Sequence, residues 1–297
     1  MQDTLFDRIK GCLIGGAIGD AVGSFYENRA APAVVDFDIP WQLTDDTQLT
    51  LATAEAIIAS HGVVPEQIAL KLLEWYNRGK LTGLGASTLK ALRDLQAGAH
   101  WALAGRSGEY AAGNGAAMRI APLAFFMLVD NDRRTIQDVC NITHKNDEAY
   151  TAALSVLLAL DAILRNHWAE EDMLIQAVTP TISDTRVKDN LMILQNNPRY
   201  SIQEAAARIG CSGHAAESVP LALFAAGKVR RETYTAVLSD IIRCGGDTDT
   251  TASIAGQVMG TYLGYGGLPV ELVGRLGEVN EIVRVSEQLC EVSRSKA

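Results

Sequence analysis

Apolar residues return along this chain at helical rather than strand spacing. Leu49, Ala52, Ala56 and Ile57 share one face of a segment from 47 to 60, because positions three, four and seven apart meet on a helix. Pro65, suited to a first helical turn, opens a second helix through Leu70, Leu73 and Trp75 that ends near Gly79. The same reading predicts helices over 86–97, 116–129, 147–166, 169–177, 201–208, 216–226, 232–243, 250–263 and 278–291. The stretch 147–166 is apolar on nearly all sides, which predicts a central helix surrounded by others. Residues 11–24 are rich in Gly and Ala and predict a helix packed closely beside a bulky neighbour, with Asp20 as a buried hydrogen-bonding partner. Only 33–39 alternates like a strand, and weakly. Loops are expected at 24–46, 79–85, 105–115 and 195–200, and no linker or internal repeat divides the chain. The expectation is an all-α fold, one compact helical domain over residues 1–297.

Charge narrows the function classes. The 35 acidic residues outnumber the 26 basic ones, giving a net charge of −9, so the basic footprint of a nucleic-acid or anionic-membrane binder is missing. No apolar run approaches the roughly 18 residues of a membrane span, and the first ten residues lack the apolar core of a signal peptide. Five widely spaced cysteines without a C-x-x-C make neither a disulfide framework nor a zinc site. A cytoplasmic protein is expected.

Two short clusters carry the candidate chemistry: Thr44-Asp45-Asp46-Thr47 and Gly245-Gly246-Asp247-Thr248-Asp249-Thr250, each ahead of an apolar helix. Helix capping explains one such residue, and perhaps one acid in the first turn. Each cluster supplies two carboxylates and at least two hydroxyls, the oxygen donors that hard cations such as Mg²⁺, Mn²⁺ and Ca²⁺ take. If the clusters meet, four carboxylates converge, and each like-charge pair at about 4 Å costs on the order of 4 kcal/mol at an effective dielectric near 20. Cations or proton uptake must then hold them together.

A third segment, 113–119, offers backbone N–H groups ahead of a helix, suited to a phosphate, although an ordinary Asn-Gly turn has the same pattern. Glu27 follows Ser24-Phe25-Tyr26 into a loop, as a mobile ligand or a solvated acid. His144 sits before the central helix, as a substrate contact, a cap or a supporting residue. His61, His100, His167 and His214 have no partners at metal-ligand spacing. Neither a G-x-S-x-G elbow, a phosphate-binding Walker loop nor a dinucleotide fingerprint is present.

The order GCLIGGAIGDAVGS, TDDTQLTLATAEAI, GNGAAMRIAPLA, THKNDEA and GGDTDTTASIAGQVMG, spanning residue 11 to about 264, resembles the ADP-ribosylglycohydrolase family. The resemblance implies an orthogonal helical bundle around two divalent cations, Mg²⁺ or Mn²⁺. Their ligands would be Thr44, Asp45, Asp46, Asp247, Asp249 and Thr250. It implies a diphosphate and ribose pocket lined by Gly113, Asn114, Gly115 and Met118, with His144 near the cleft and Ser24 near its rim. Glu27, Asp45, Asp46 and Asp249 would carry the catalysis. The substrate would be an ADP-ribosylated protein or a small ADP-ribose conjugate.

Two details bear on the linkage cleaved. Ser24-Phe25-Tyr26-Glu27 is similar to the branch acting on serine and O-linked conjugates, where this Glu caps the metals. Arginine-specific members carry an acid where this chain has Gly83. O-linked ADP-ribose is therefore expected ahead of the arginine-linked form. Alternatives are a non-catalytic relative, serving as a structural protein or binding an ADP-ribosyltransferase, and a metal-dependent phosphoesterase. Retention of all six oxygen donors weighs against a dead scaffold.

Overall fold

The computed structural model describes residues 4–169 and 173–295. The chain is all-α, with fourteen α-helices among the described residues: α1 (Thr4–Tyr26), α2 (Asp45–Ser60), α3 (Pro65–Asn77), α4 (Ala86–Gln96), α5 (Trp101–Ala104), α6 (Arg133–Asn141), α7 (Asp147–Leu164), α8 (Arg186–Gln195), α9 (Ile202–Ile209), α10 (Ala215–Ala226), α11 (Tyr234–Ile242), α12 (Thr248–Leu263), α13 (Val270–Val273) and α14 (Val279–Arg294). Two-residue strands β1 (Arg106–Ser107) and β2 (His144–Lys145) pair in parallel, with Arg106 opposite His144. The weakly alternating 33–39 segment forms no strand.

Helix α7 is buried on nearly every side, as its composition predicts, and the side chain of Asn146 caps it by accepting from the amides of Glu148 and Ala149. The most extensive packing joins α1 to α12. Here the expectation of a bulky neighbour is corrected, because α1 lies against another backbone. A Cβ built on Gly11 would sit 2.2 Å from Gly260 O, one on Gly15 2.4 Å from Gly256 O, one on Gly19 2.1 Å from Ala252 O, and one on Gly23 2.5 Å from the Asp249 Cα. Glycines four apart make a bare stripe on one helix face, and this stripe lets the two helices run antiparallel at backbone contact. The seam places the C-terminal end of α1, leading to Glu27, beside the N-terminal end of α12, and Thr248 Oγ1 closes it by donating to Gly23 O at 2.8 Å.

The helix expected over 116–129 is absent. Short 3₁₀ turns, Asn114–Ala116 and Ala121–Phe125, take its place. Pro122 is the cause: it lacks an amide proton, and its ring would collide with the carbonyl four residues earlier. That carbonyl, Met118 O, instead accepts from Gln257 Nε2 (2.7 Å) and Thr50 Oγ1 (3.1 Å), joining α12 and α2. Pro220 sits inside α10 by a related device, since the carbonyl four residues back, Ala216 O, accepts from Asn190 Nδ2 at 2.7 Å. The helix expected over 169–177 falls partly outside the described residues, and its remainder is a 3₁₀ turn, Leu174–Ala177. Helices α6 and α8 were not expected. Each buries only three residues, Ile136, Val139 and Cys140 in one and Val187, Leu191 and Leu194 in the other, beneath a charged face.

Candidate metal centre and substrate cavity

The two acidic clusters form the first turns of α2 and α12, yet neither serves as a conventional cap. Thr44 and Asp247 stand at the N-cap positions without a side-chain capping bond. Thr44 Oγ1 donates to Asp20 Oδ1 at 2.6 Å, and Asp247 Oδ2 accepts from Asn114 Nδ2 at 2.6 Å. Asp20, fully buried on α1, is the strut beneath α2. Its carboxyl accepts from the amides of Thr44 and Thr47 and from both of their hydroxyls, the Thr47 bond being 2.5 Å. Burial pushes its pKa up, and those four donors pull it part of the way back. Replacing Asp20 by alanine should cost on the order of 3 kcal/mol, because buried donors are left unpaired. Urea denaturation reads this directly, and an unchanged midpoint removes the strut.

The clusters meet. Thr250 Oγ1 on α12 donates to Asp46 Oδ2 on α2 at 3.3 Å. Glu27, Asp247 and Asp249 each present an oxygen within 4.8 Å of the others. All of them, with Thr44, Asp45 and Asp46, line one cavity of about 580 Å³. So many acids around one cavity, several of them buried, are held at an electrostatic penalty. Burial, then the neighbouring charge of Asp20, pushes Asp45 up to about 8. Burial, then Asp247 alongside, pushes Asp249 up to about 9. Asp46 is driven well above the carboxylate range by burial and by Asp249, Asp20, Asp45 and Asp247 around it, and Glu27 is raised by burial and by Asp247. Asp46 Oδ1 is buried without a hydrogen-bond partner among the described residues. An oxygen in that condition is costly unless a proton or a cation meets it. The donor set of carboxylates and threonine hydroxyls fits a hard divalent cation.

The same cavity is lined by Gly113, Asn114, Gly115, Met118 and His144. Asn114 works from behind as well as along the wall: its Nδ2 donates to Ser218 Oγ and to Asp247, which fixes the acid. A Cβ on Gly115 would lie 2.9 Å from His144 Cε1, so only glycine leaves room for the ring. Ser24 is not among the lining residues; its hydroxyl donates to Ala21 O and Gln42 O, tying the end of α1 to the loop ahead of α2. Sequence reasoning passed over Arg29, Arg106 and Tyr110, which line the cavity, and over 211–213. In that last segment Cys211 O accepts from the Asp247 amide and Gly213 O from the Asn114 amide. Nothing in Cys-Ser-Gly-His marks that role, and only the fold brings it to the acids.

The chain is similar along its length to known proteins. It is 28% identical to the ADP-ribosylarginine hydrolase Tri1 of Pseudomonas putida, covering 95% of this chain and 78% of the relative. It is 24% identical to the human ADP-ribosylhydrolase ARH3, covering 88% and 87%. An uncharacterized protein of Archaeoglobus fulgidus shares 26% identity over 86% and 87% of the two chains. A solved ADP-ribosylglycohydrolase-related protein complex matches the fold with a TM-score of 0.73 at 24% identity, over 97% of this chain and 99% of that one. No helix among the described residues is long and apolar enough to cross a membrane. The family model for ADP-ribosylglycohydrolase matches residues 1–297, and this chain belongs to that family as a hydrolase of glycosidic bonds.

Proposed function

We propose that the protein hydrolyses the bond at the distal ribose C1″ of ADP-ribosyl groups carried by protein side chains or small conjugates, O-linked bonds ahead of arginine-linked ones. The observation that carries this reading is the convergence of two helix N-termini and Glu27 on one cavity around the unpartnered Asp46 Oδ1. Thr44, Asp45, Asp46, Asp247, Asp249 and Thr250 would hold two divalent cations, Mg²⁺ or Mn²⁺, which when bound orient oxygen ligands and lower the pKa of water. Glu27, partly exposed at the end of α1, accepts the proton of the attacking water. Burial and the nearby Asp247 raise its carboxyl, which makes it a stronger base than an open-chain glutamate. Asp45 and Asp249 would supply the negative charge that stabilises the positive character growing at C1″ as the bond breaks. Arg29 and Arg106 give the cavity cations for a diphosphate, although the chain as a whole is acidic.

Similar identities to relatives named for different activities do not choose the linkage. Gly83 favours the O-linked reading: its φ is +80°, and a Cβ there would lie 3.3 Å from Asp45 Oδ1, so a side chain at this place would be strained and would press on the acid. The chain therefore has no second carboxyl at position 83 for an arginine-type proton relay. The test compares serine-linked and arginine-linked ADP-ribosyl peptides with and without chelator. Faster release of intact ADP-ribose from the serine peptide, lost in chelator and restored by Mg²⁺ or Mn²⁺, supports the reading; release of AMP sinks it in favour of a phosphoesterase. Glu27→Gln should lower kcat by about 10²–10⁴-fold while ADP-ribose affinity stays within a few-fold by calorimetry. An unchanged kcat removes Glu27 as the base. A role in binding an ADP-ribosyltransferase has no supporting observation.

A further inference from the structure

Arg119 is fully buried, an expensive place for a guanidinium unless its position does something. One of its nitrogens, Nη2, donates to Val139 O (3.0 Å) and to Thr143 Oγ1 (3.1 Å). Thr143 Oγ1 in turn lies 2.8 Å from His144 Nδ1, and Thr143 is itself fully buried. A hydroxyl can accept twice, so two tautomers fit these distances, and only one of them leaves no buried hydroxyl proton unpaired. Arginine can only donate, so the hydroxyl accepts from Arg119. Its own proton has no other acceptor among the described residues, and it must go to His144 Nδ1. That nitrogen is therefore bare, and the ring of a neutral histidine carries its proton on Nε2.

We propose that Arg119 and Thr143 are positioning residues that lock His144 as the Nε2–H tautomer, a fixed hydrogen-bond donor to an oxygen of the bound ADP-ribosyl group and not a proton shuttle. The ligand named here rests on the reading of the preceding subsection; the tautomer does not. His144 lines the cavity, and its Nε2 lies 3.4 Å from where a Cβ would stand on Gly113 and on Gly115. The bare backbone at both places leaves the N–H open to a ligand. The ring also stays neutral: burial, and the charges of Arg119 and Arg106 nearby, pull its pKa down to about 3. A ring that neither gains nor loses charge near neutrality binds and orients, and leaves proton transfer to carboxylates.

Long-range ¹H–¹⁵N correlation spectra of the ¹⁵N-histidine-labelled protein read the tautomer without turnover. Expected are a protonated Nε2 and an unprotonated Nδ1 for His144, unchanged between about pH 5 and 8, the range where an ordinary histidine titrates. A protonated Nδ1, or titration within that range, overturns the proposal. Thr143→Val should mix the tautomers and weaken ADP-ribose binding by about tenfold, the worth of one lost hydrogen bond. KM should rise while kcat changes little, and Thr143→Ser should restore both the spectrum and KM. A Thr143→Val protein with wild-type spectrum and affinity also overturns it. Should the wild type bind no ADP-ribose, the substrate reading falls, while the spectrum still decides the positioning claim.

Discussion

Asp46→Asn should abolish measurable hydrolysis and, in the same protein, raise the melting temperature of the metal-free form. The two effects share one cause. Asp46 is the most enclosed of the site acids, 1% exposed, with Asp20, Asp45, Asp247 and Asp249 acting on it electrostatically. Folding without a cation forces this group to keep its proton or to suffer repulsion from its neighbours. An amide of the same shape removes that conflict, and each kcal/mol regained is worth about 2–4 °C in a chain of this size. It also removes the anion whose second oxygen has no partner among the described residues, so divalent binding should fail and the rate should fall by about 10²-fold or more. Calorimetry with Mn²⁺ and thermal melts in chelator measure the pair. A variant that loses stability and keeps its metal refutes the account.

The same conflict fixes a sign for pH. Asp45 and Asp249 move from 3.8 in the open chain up to about 8 and about 9 when folded. The folded protein therefore holds more protons than the unfolded one between those limits, and stability falls as pH rises through them. Stability in chelator should be greatest near the lower limit and least above the upper one. With saturating Mg²⁺ the slope should reverse, because cations bind the deprotonated acids. A flat chelator profile contradicts the crowding.

Gly260→Ala is expected to be the most damaging single methyl in the protein. Its Cβ would stand 1.9 Å from Gly11 O and 2.6 Å from Gly11 C, both backbone atoms that no rotamer can move aside. The helices must separate, at a cost at or above the roughly 1–3 kcal/mol of overpacking, and α12 carries Asp249 and Thr250 with it. Gly277→Ala is the control, since nothing lies within 4 Å of that position. Urea midpoints that fall equally for both would refute the seam.

Much of this architecture is written locally. The helical spacing of α2, α7 and α12 reflects which faces are buried, whereas in α3 Leu70 is exposed and Ile68, Ala69, Leu72 and Trp75 form the buried face; Asp-Thr pairs at two helix starts exceed what capping uses. What a linear reading lacks is the partner of each group. Ala-Ala-Met-Arg-Ile over 116–120 has a good helical pattern, but Pro122 and the demands on Met118 O from two distant helices override it. The charged faces of α6 and α8 hid their few buried positions. Asp20 was legible as buried, but not as the acceptor beneath Thr44 and Thr47. The tie from Asn114 to Asp247 crosses 133 residues of sequence, and spacing carries no trace of it.

The bare stripe on α1 has a consequence for synthesis. The first helix leaves the ribosome long before its mate, α12, has been translated, and until then its glycine face has nothing to lie against. Glycine-rich sequence holds a helix poorly by itself, so nascent α1 should stay loose, or lean on a chaperone, until α12 emerges. Long-range pairing of this kind is slow to form. A chain not yet translated through α12 therefore holds no assembled acid basin, and no cation can load at this centre before that helix has docked on α1.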